Sequence, residues 1–103
     1  MAQKTYAGIA VEVNEEGYFT DATKWTKEMA VEIAKEEGVE FTEVHAKVLD
    51  FLRDLFEKGE MLTIRSVGKS NIVDIKGFYQ LFPGAPMKKA ARIAGIPKPA
   101  SCV

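Results

Sequence analysis

The sequence of 103 residues is 47% hydrophobic and 28% charged, with a formal net charge of −1. This length fits one globular domain with one core and excludes two. No run approaches the ~18 apolar residues of a membrane span, and the first residues lack the apolar stretch of a signal peptide, so we expect a cytoplasmic protein. One cysteine and one histidine cannot supply the ligands of a zinc site, and we expect neither a metal nor a cofactor.

The first sixty residues predict a hairpin and two helices. β-Branched residues alternate over residues 8–13, and turn-forming residues 14–17 precede Tyr18 and Phe19, which predicts a short β-hairpin. Apolar residues recur at helical spacing over residues 23–37, with Gly38 as the stop. A second helix, capped by Thr42, runs to Gly59 with a wide apolar face. We expect its core side chains and the preceding tryptophan to be buried together: Trp25, Phe51, Leu52, Leu55 and Phe56.

Three shorter helices are predicted in the second half. Thr63 is placed to cap a short helix that runs to Lys69, and residues 72–82 predict another helix, which ends because the residue before Pro83 avoids the helical region. A last helix is expected over residues 86–94, with proline at its first position and Gly95 at its end. The sequence therefore predicts a mainly α (α+β) fold: a small helical bundle with an N-terminal hairpin over residues 1–95, and a mobile C-terminal arm over residues 96–103.

Charge is divided unevenly between the halves of the chain. Residues 1–60 carry a balance of −7, whereas residues 61–103 carry seven basic side chains against Asp74 alone. A local positive field steers anions and acidic partners, so we expect function in the second half. The candidate partner-binding or anion-binding residues are Arg65, Lys69, Lys88, Lys89, Arg92 and Lys98.

The only cysteine, Cys102, is the penultimate residue and follows Pro97 and Pro99. Residues 96–103 reach roughly 25 Å when fully stretched, and the prolines restrict the backbone, so the arm loses less entropy on entering a partner's cleft. A thiol reacts as the thiolate, which the terminal carboxylate disfavours and nearby cations such as Lys98 favour. The alternative is a passive cysteine that folds back into the core. His45 lies within a helix, far from Cys102 in sequence, and is expected to be a surface or packed residue without a catalytic role.

The C-terminal segment resembles the signature of the DsrC/TusE family of sulfur-relay proteins. The resemblance rests on Phe82–Pro86, on Lys88, on the run Arg92–Pro99 and on the terminal Cys102 and Val103. It extends over most of the chain, including Glu15–Tyr18 and the positions Trp25, Thr42, His45, Arg53 and Arg65. The resemblance implies that Cys102 accepts a sulfane sulfur as a persulfide and carries it between proteins. It also implies a small helical fold with an N-terminal hairpin and a mobile arm.

Two branches of this family differ at the position of Ala91. DsrC proteins carry a second cysteine there, which can form a disulfide with the penultimate one. The chain is therefore more similar to the single-cysteine TusE type, although Ala46 and Ser101 depart from the common pattern. The resemblance implies a TusBCD-like or DsrEFH-like sulfur donor complex and a downstream acceptor, such as a tRNA thiolase that makes 2-thiouridine or a sulfite reductase.

Three functions follow as expectations. The first is a cytoplasmic sulfur carrier, a sulfurtransferase without independent turnover, in which Cys102 holds the sulfur. The second is an accessory, gamma-type subunit of a dissimilatory sulfite reductase or of a related sulfur-oxidation complex. The third is a DNA-binding regulator built on the helix-turn-helix-like second half, which the slightly acidic pI of about 5.8 disfavours because such domains are usually basic.

Overall fold

The computed structural model of the protein describes residues 2–97. In chain order, its elements are strands β1 (Ala2–Tyr6) and β2 (Ile9–Val13), a 3-10 turn (Ala22–Lys24), and helices α1 (Lys27–Glu36), α2 (Glu43–Glu57), α3 (Ile64–Gly68), α4 (Ile75–Leu81) and α5 (Pro86–Ile93). The predicted fold class is confirmed: five helices accompany an N-terminal antiparallel hairpin.

The N-terminal hairpin forms between other residues than predicted: β2 pairs with β1, which precedes it, and not with a strand at Tyr18 and Phe19. β1 pairs with β2 in a register that places Tyr6 opposite Ile9, and the turn consists of Ala7 and Gly8, both with positive φ (51° and 76°). Two consecutive positive φ angles suit the right-handed twist of a two-residue hairpin. The predicted turn at residues 14–17 exists, but it leads only to a single bridge between Val13 and Phe19.

Two predicted helices start later than expected because a nearer side chain caps them. The Thr26 hydroxyl accepts from the Met29 N–H, so α1 begins at Lys27, after a separate turn capped by Asp21. The Asp74 carboxylate accepts from the Gly77 N–H, so α4 begins at Ile75. Such caps satisfy N–H groups that have no partner inside the helix. The predicted caps Thr42 and Thr63 are confirmed.

Helix α5 lies at the centre of the fold, in contact with α1, α2 and α4. Its inward side includes two small residues, Ala90 and Ala91, which are fully buried, as are Ile93 and the C-cap Ala94. Small side chains allow neighbouring helices to approach closely. Ile96, which the sequence placed in the arm, is also fully buried, so the packed part of the chain extends beyond residue 95. The rest of the predicted arm, from Lys98 onward, lies outside the described residues.

The predicted core side chains of α2 divide between the interior and the surface. Leu52 and Leu55 are buried and Phe51 is partly buried, but Phe56 is 38% exposed, so its prediction as a core residue is wrong. It follows Leu55 directly and therefore points about 100° away from it around the helix. Within residues 2–97 the fold contains no helix that is long and apolar enough to cross a membrane, and no group of three potential metal ligands.

His45 is the one buried polar or charged side chain of the described core. Its Nδ1 accepts from the Thr42 backbone N–H at 3.2 Å, and its Nε2 lies 2.8 Å from the carbonyl oxygen of Leu81. A carbonyl oxygen only accepts, so Nε2 carries the proton. The imidazole also packs edge-on against Phe82, with ring centroids 5.0 Å apart. His45 thus joins the start of α2 to the end of α4, in agreement with its predicted packing role.

We expect His45→Leu to lower the free energy of unfolding by about 2 kcal/mol, because it removes the partner of two partly buried backbone groups, the Thr42 N–H and the Leu81 carbonyl. Urea denaturation measures the change. Lys47→Leu is the matched control on an exposed face of the same helix and should alter stability by less than about 0.5 kcal/mol. Equal effects of the two substitutions would contradict the linking role of His45.

Candidate functional site

The C-terminal end of α5 is held by two side chains from distant parts of the chain. Arg53 on α2 donates from one terminal nitrogen to the Ala94 carbonyl (2.7 Å) and from the other to the Ala22 carbonyl (2.9 Å). Its guanidinium carbon lies 4.3 Å from the centroid of a Trp25 ring. Trp25 in turn donates from Nε1 to the Ile93 carbonyl at 2.8 Å. We call Trp25, Arg53 and Gly95, with the carbonyls that they contact, the clasp.

Gly95 is the third member of the clasp because only glycine fits there. Its φ is +67°, and a Cβ at this position would overlap the indole of Trp25. The Gly95 N–H donates to the Arg92 carbonyl, and the Ile96 N–H donates to the Ala91 carbonyl, both at 3.2 Å. This pair of bonds is a Schellman motif, which satisfies the last carbonyls of a helix and turns the chain away from its axis. The clasp therefore sets the course of the backbone as it leaves α5.

The charge of Arg53 suits its position. The guanidinium lies at the C-terminal end of α5, where the helix dipole is negative, so the positive charge is favourable there. Burial lowers the pKa of the guanidinium, while the carboxylates of Glu57 and Asp50 raise it. Arginine remains protonated at neutral pH despite such shifts. Its planar fork also matches two carbonyls at once, which the single ammonium of lysine does not reproduce.

The structure separates the predicted binding residues into two groups. Arg65 and Lys69 line a pocket between α3 and α4, together with Lys76, which the sequence prediction left out. Lys88, Lys89 and Arg92 lie on α5, and that pocket includes none of them. Lys98 and the candidate sulfur-carrying Cys102 lie outside the described residues. Their predicted roles remain predictions.

Arg92 is already paired within the fold. One terminal nitrogen donates to both carboxylate oxygens of Glu37, at 3.1 and 3.2 Å, and the guanidinium carbon lies 5.3 Å from the Tyr18 ring centroid. The pair is mostly buried and joins α5 to the end of α1. An anion from a partner must therefore compete with Glu37 for this cation.

Sequence reasoning missed Arg53 as a member of the site and treated Trp25 only as a core residue. A usable signal was present, because Arg53 lies between the apolar residues Leu52 and Leu55 on α2. A half-buried arginine among apolar residues needs partners for its five N–H groups. The carbonyls that supply them lie 31 and 41 residues away in sequence. No local pattern could identify them.

The fold and the clasp define a small, mainly helical protein with an N-terminal hairpin, in which the base of a cysteine-bearing C-terminal segment is anchored. The family model described as "DsrC like protein" matches residues 5–103. The chain therefore belongs to the DsrC-like family, and the resemblance drawn from its C-terminal signature is confirmed.

Individual relatives agree over essentially the whole chain. The dissimilatory-type sulfite reductase subunit gamma of Nitratidesulfovibrio vulgaris (strain Hildenborough) is 36% identical over 105 residues, covering 100% of both chains. Sulfurtransferase TusE of Escherichia coli is 35% identical over 106 residues, covering 95% of this chain and 97% of TusE. The crystal structure of dissimilatory sulfite reductase I (DsrI) contains a chain that matches with a TM-score of 0.86 and 35% identity, covering 99% of this chain and 100% of that one. None of these names supports the DNA-binding alternative.

We expect Arg53→Lys and Trp25→Phe each to lower the free energy of unfolding by about 1–2 kcal/mol, because each removes a buried hydrogen bond to a carbonyl. The two side chains are in contact, so the double variant should depart from additivity by at least about 0.5 kcal/mol. A double-mutant cycle by urea denaturation measures this coupling. The amides of residues 93–96 should also exchange with deuterium faster than in the unmodified protein.

The control for the clasp is Lys58→Ala, which removes an exposed ion pair with Asp54 on the same helix. It should change stability little and leave the amide exchange of residues 93–96 unaltered. Strict additivity of the Arg53 and Trp25 substitutions would show that the two side chains act independently.

Proposed function

We propose that this chain is a sulfur carrier that accepts a sulfane sulfur on Cys102 and delivers it to another protein. The observation that carries the proposal is the family match over residues 5–103, which includes the penultimate cysteine. The clasp supports it, because it anchors the backbone just before this segment. From Pro97, covalent geometry allows Cys102 to reach at most about 17 Å.

The transfer consists of two thiol exchange steps with no net oxidation or reduction. In the first, the Cys102 thiolate attacks the outer sulfur of a donor persulfide. The new sulfur–sulfur bond forms on Cys102 as the donor bond breaks, and the donor cysteine leaves as a thiolate. In the second, a nucleophile of the acceptor attacks the outer sulfur, and Cys102 leaves as a thiolate. The fold therefore needs no cofactor for the exchange, only a reachable thiol and recognised partners.

The basic side chains serve this exchange in two ways. Lys88 and Lys89 on α5 are only half-buried, and Lys98 stands four residues before Cys102 in sequence, so these cations favour a nearby thiolate or persulfide anion. Arg92 is paired with Glu37. Its charge adds to the positive field around the sulfur only when that ion pair is broken. Arg65 and Lys69 lie on the α3–α4 side and are assigned to the recognition of a partner.

The partners belong to a sulfur relay. We propose a TusBCD-like or DsrEFH-like complex as donor and, as acceptor, the enzyme that thiolates uridine in tRNA, with the exchange in the cytoplasm. This branch is favoured by Ala91, a fully buried methyl group at the position where two-cysteine members carry their second thiol. With a single cysteine the chain cannot form an internal disulfide.

A gamma-type subunit of a dissimilatory sulfite reductase is the second candidate function. It is favoured by the 36% identity to the subunit gamma of Nitratidesulfovibrio vulgaris over the full length of both chains. The chain has one cysteine, so it cannot carry out a reaction that needs a pair of them. In this role it holds a single sulfur. Co-purification with a sulfite reductase, and not with a tRNA-thiolating enzyme, distinguishes this role from tRNA thiolation.

We expect the protein to gain one sulfur mass on incubation with glutathione persulfide and to lose it on addition of dithiothreitol. Intact-protein mass spectrometry measures the gain, and tryptic mapping places it on the C-terminal peptide. Cys102→Ser should abolish the gain, whereas Ser101→Ala, the adjacent control, should retain it. A gain that survives Cys102→Ser, or no gain in the unmodified chain, would reject the carrier function.

A further inference from the structure

A pocket of about 410 Å³ opens between α3 and α4, on a part of the surface that the clasp does not use. We call it the α3–α4 groove, and its lining consists of Arg65, Gly68, Lys69, Asp74, Ile75 and Lys76. The groove combines three cationic side chains with an apolar one. Among the described residues, helix α5 contributes nothing to this lining.

The cations of the groove are available to a partner. Arg65, Lys69 and Lys76 are all exposed, and the ion pairs formed within residues 2–97 involve other side chains. The one carboxylate of the lining, Asp74, accepts from the Gly77 N–H at 2.6 Å as the cap of α4. The groove therefore presents a net positive charge to solvent, and side chains within the described fold do not neutralise it.

The apolar part of the groove is held in place by a close helix contact. Ile75 is 47% exposed, and Tyr79, one turn further along α4, is 45% exposed. On its other side Ile75 lies against α3 at Gly68, where a Cβ would stand 2.8 Å from Ile75 Cγ1. Glycine at this position lets the isoleucine rest on the backbone of α3. Ile75 and Tyr79 thus form an apolar ridge beside the cations, and such exposed apolar surface is typical of interaction sites.

We propose that the α3–α4 groove docks an acidic segment of a partner protein, whose carboxylates pair with Arg65, Lys69 and Lys76 and whose apolar side chains cover Ile75 and Tyr79. The inference rests on the proposed function only in that a sulfur carrier must be recognised by donor and acceptor. A protein segment fits better than a nucleic acid, because its apolar side chains can cover Ile75 and Tyr79, which a phosphate backbone does not do. Recognition by the groove is thereby separate from chemistry at Cys102.

The direct test titrates the isotope-labelled full chain with a short synthetic peptide in which glutamates alternate with leucines. Amide shifts are expected at Gly68, Lys69, Ile75 and Lys76, with an affinity that falls as ionic strength rises, since exposed charges are screened over about 8–10 Å at physiological salt. The double variant Lys69→Glu with Lys76→Glu should weaken binding by about tenfold or more, because like charges face the peptide. Ile75→Ser should weaken it several-fold while retaining its salt dependence.

The matched control is Lys35→Glu with Lys47→Glu, which changes the net charge equally on exposed positions of α1 and α2. It should alter the affinity by no more than about twofold. If the glutamate pair in the groove impairs folding, as judged by the amide spectrum, Lys69→Gln with Lys76→Gln repeats the test with a smaller perturbation. Equal losses of peptide affinity in the groove and control variants would overturn the proposal, since the affinity would then depend on the overall charge of the protein.

Other occupants give distinct results. Tighter binding of duplex DNA than of the peptide at the same amides would assign the groove to nucleic acid and overturn the proposal. So would concentration-dependent shifts of these amides without peptide, which would assign it to a second copy of the chain. Persulfide loading from glutathione persulfide is expected to be unchanged in the groove variants, and peptide binding unchanged in Cys102→Ser. A failure of docking is thus distinguishable from a failure of the carrier function.

Discussion

The guanidinium of Arg53 holds the end of α5 in a way that no other group of the clasp can replace. It bridges a carbonyl at the end of α5 and a carbonyl of the turn before α1, and it stacks on Trp25. Each of these contacts joins parts of the chain that are distant in sequence. Because Gly95 leaves no Cβ to push the indole away, the side chains of Trp25 and Arg53 close around one backbone turn. The direction in which the C-terminal segment begins depends on this arrangement.

The packing of α5 explains why the helical fold acts as a support for the C-terminal segment. Its buried alanines let three other helices contact it, so the helix is a packed base for the segment that follows. The chemistry proposed for the chain needs no active site within this base, because sulfur exchange between thiols requires only that the two sulfur atoms meet. In the proposed function, the fold serves to present one cysteine and to be recognised. A small protein with a single thiol is sufficient for that task.

The charge division of the sequence acquires a more specific meaning in the fold. Seven basic residues of the second half suggested a broad positive surface, but Arg92 is neutralised by Glu37 across the α1–α5 contact. Arg53, from the acidic half, is used inside the fold. Within the second half of the chain, the cations left for a partner among the described residues lie on α5 and around the α3–α4 groove. Charge counted along the sequence therefore overstates the field that a partner meets.

The elements that depend on neighbouring residues were predictable from the sequence. Thr42 and Thr63 cap helices because a side chain and the backbone three residues later suffice, and Gly38 and Gly95 end helices because left-handed backbone favours glycine. For α1 and α4 the apolar pattern predicted earlier starts, but the helices begin directly after Thr26 and Asp74, whose side chains cap them. The candidate thiol and the family of the chain could also be recognised from the sequence, because the C-terminal motif is contiguous.

Contacts between distant residues were decided only by the tertiary structure. The sequence by itself determined the helices, the fold class and the family, since these follow from local periodicity, capping and a contiguous motif. Only folding paired β1 with β2, drew Ile96 into the core, and brought Trp25 and Arg53 to the end of α5. Only folding added Lys76 and Ile75 to Arg65 and Lys69 in one groove. The physical reason is that side chains of separate elements meet through packing, which no spacing along the chain encodes.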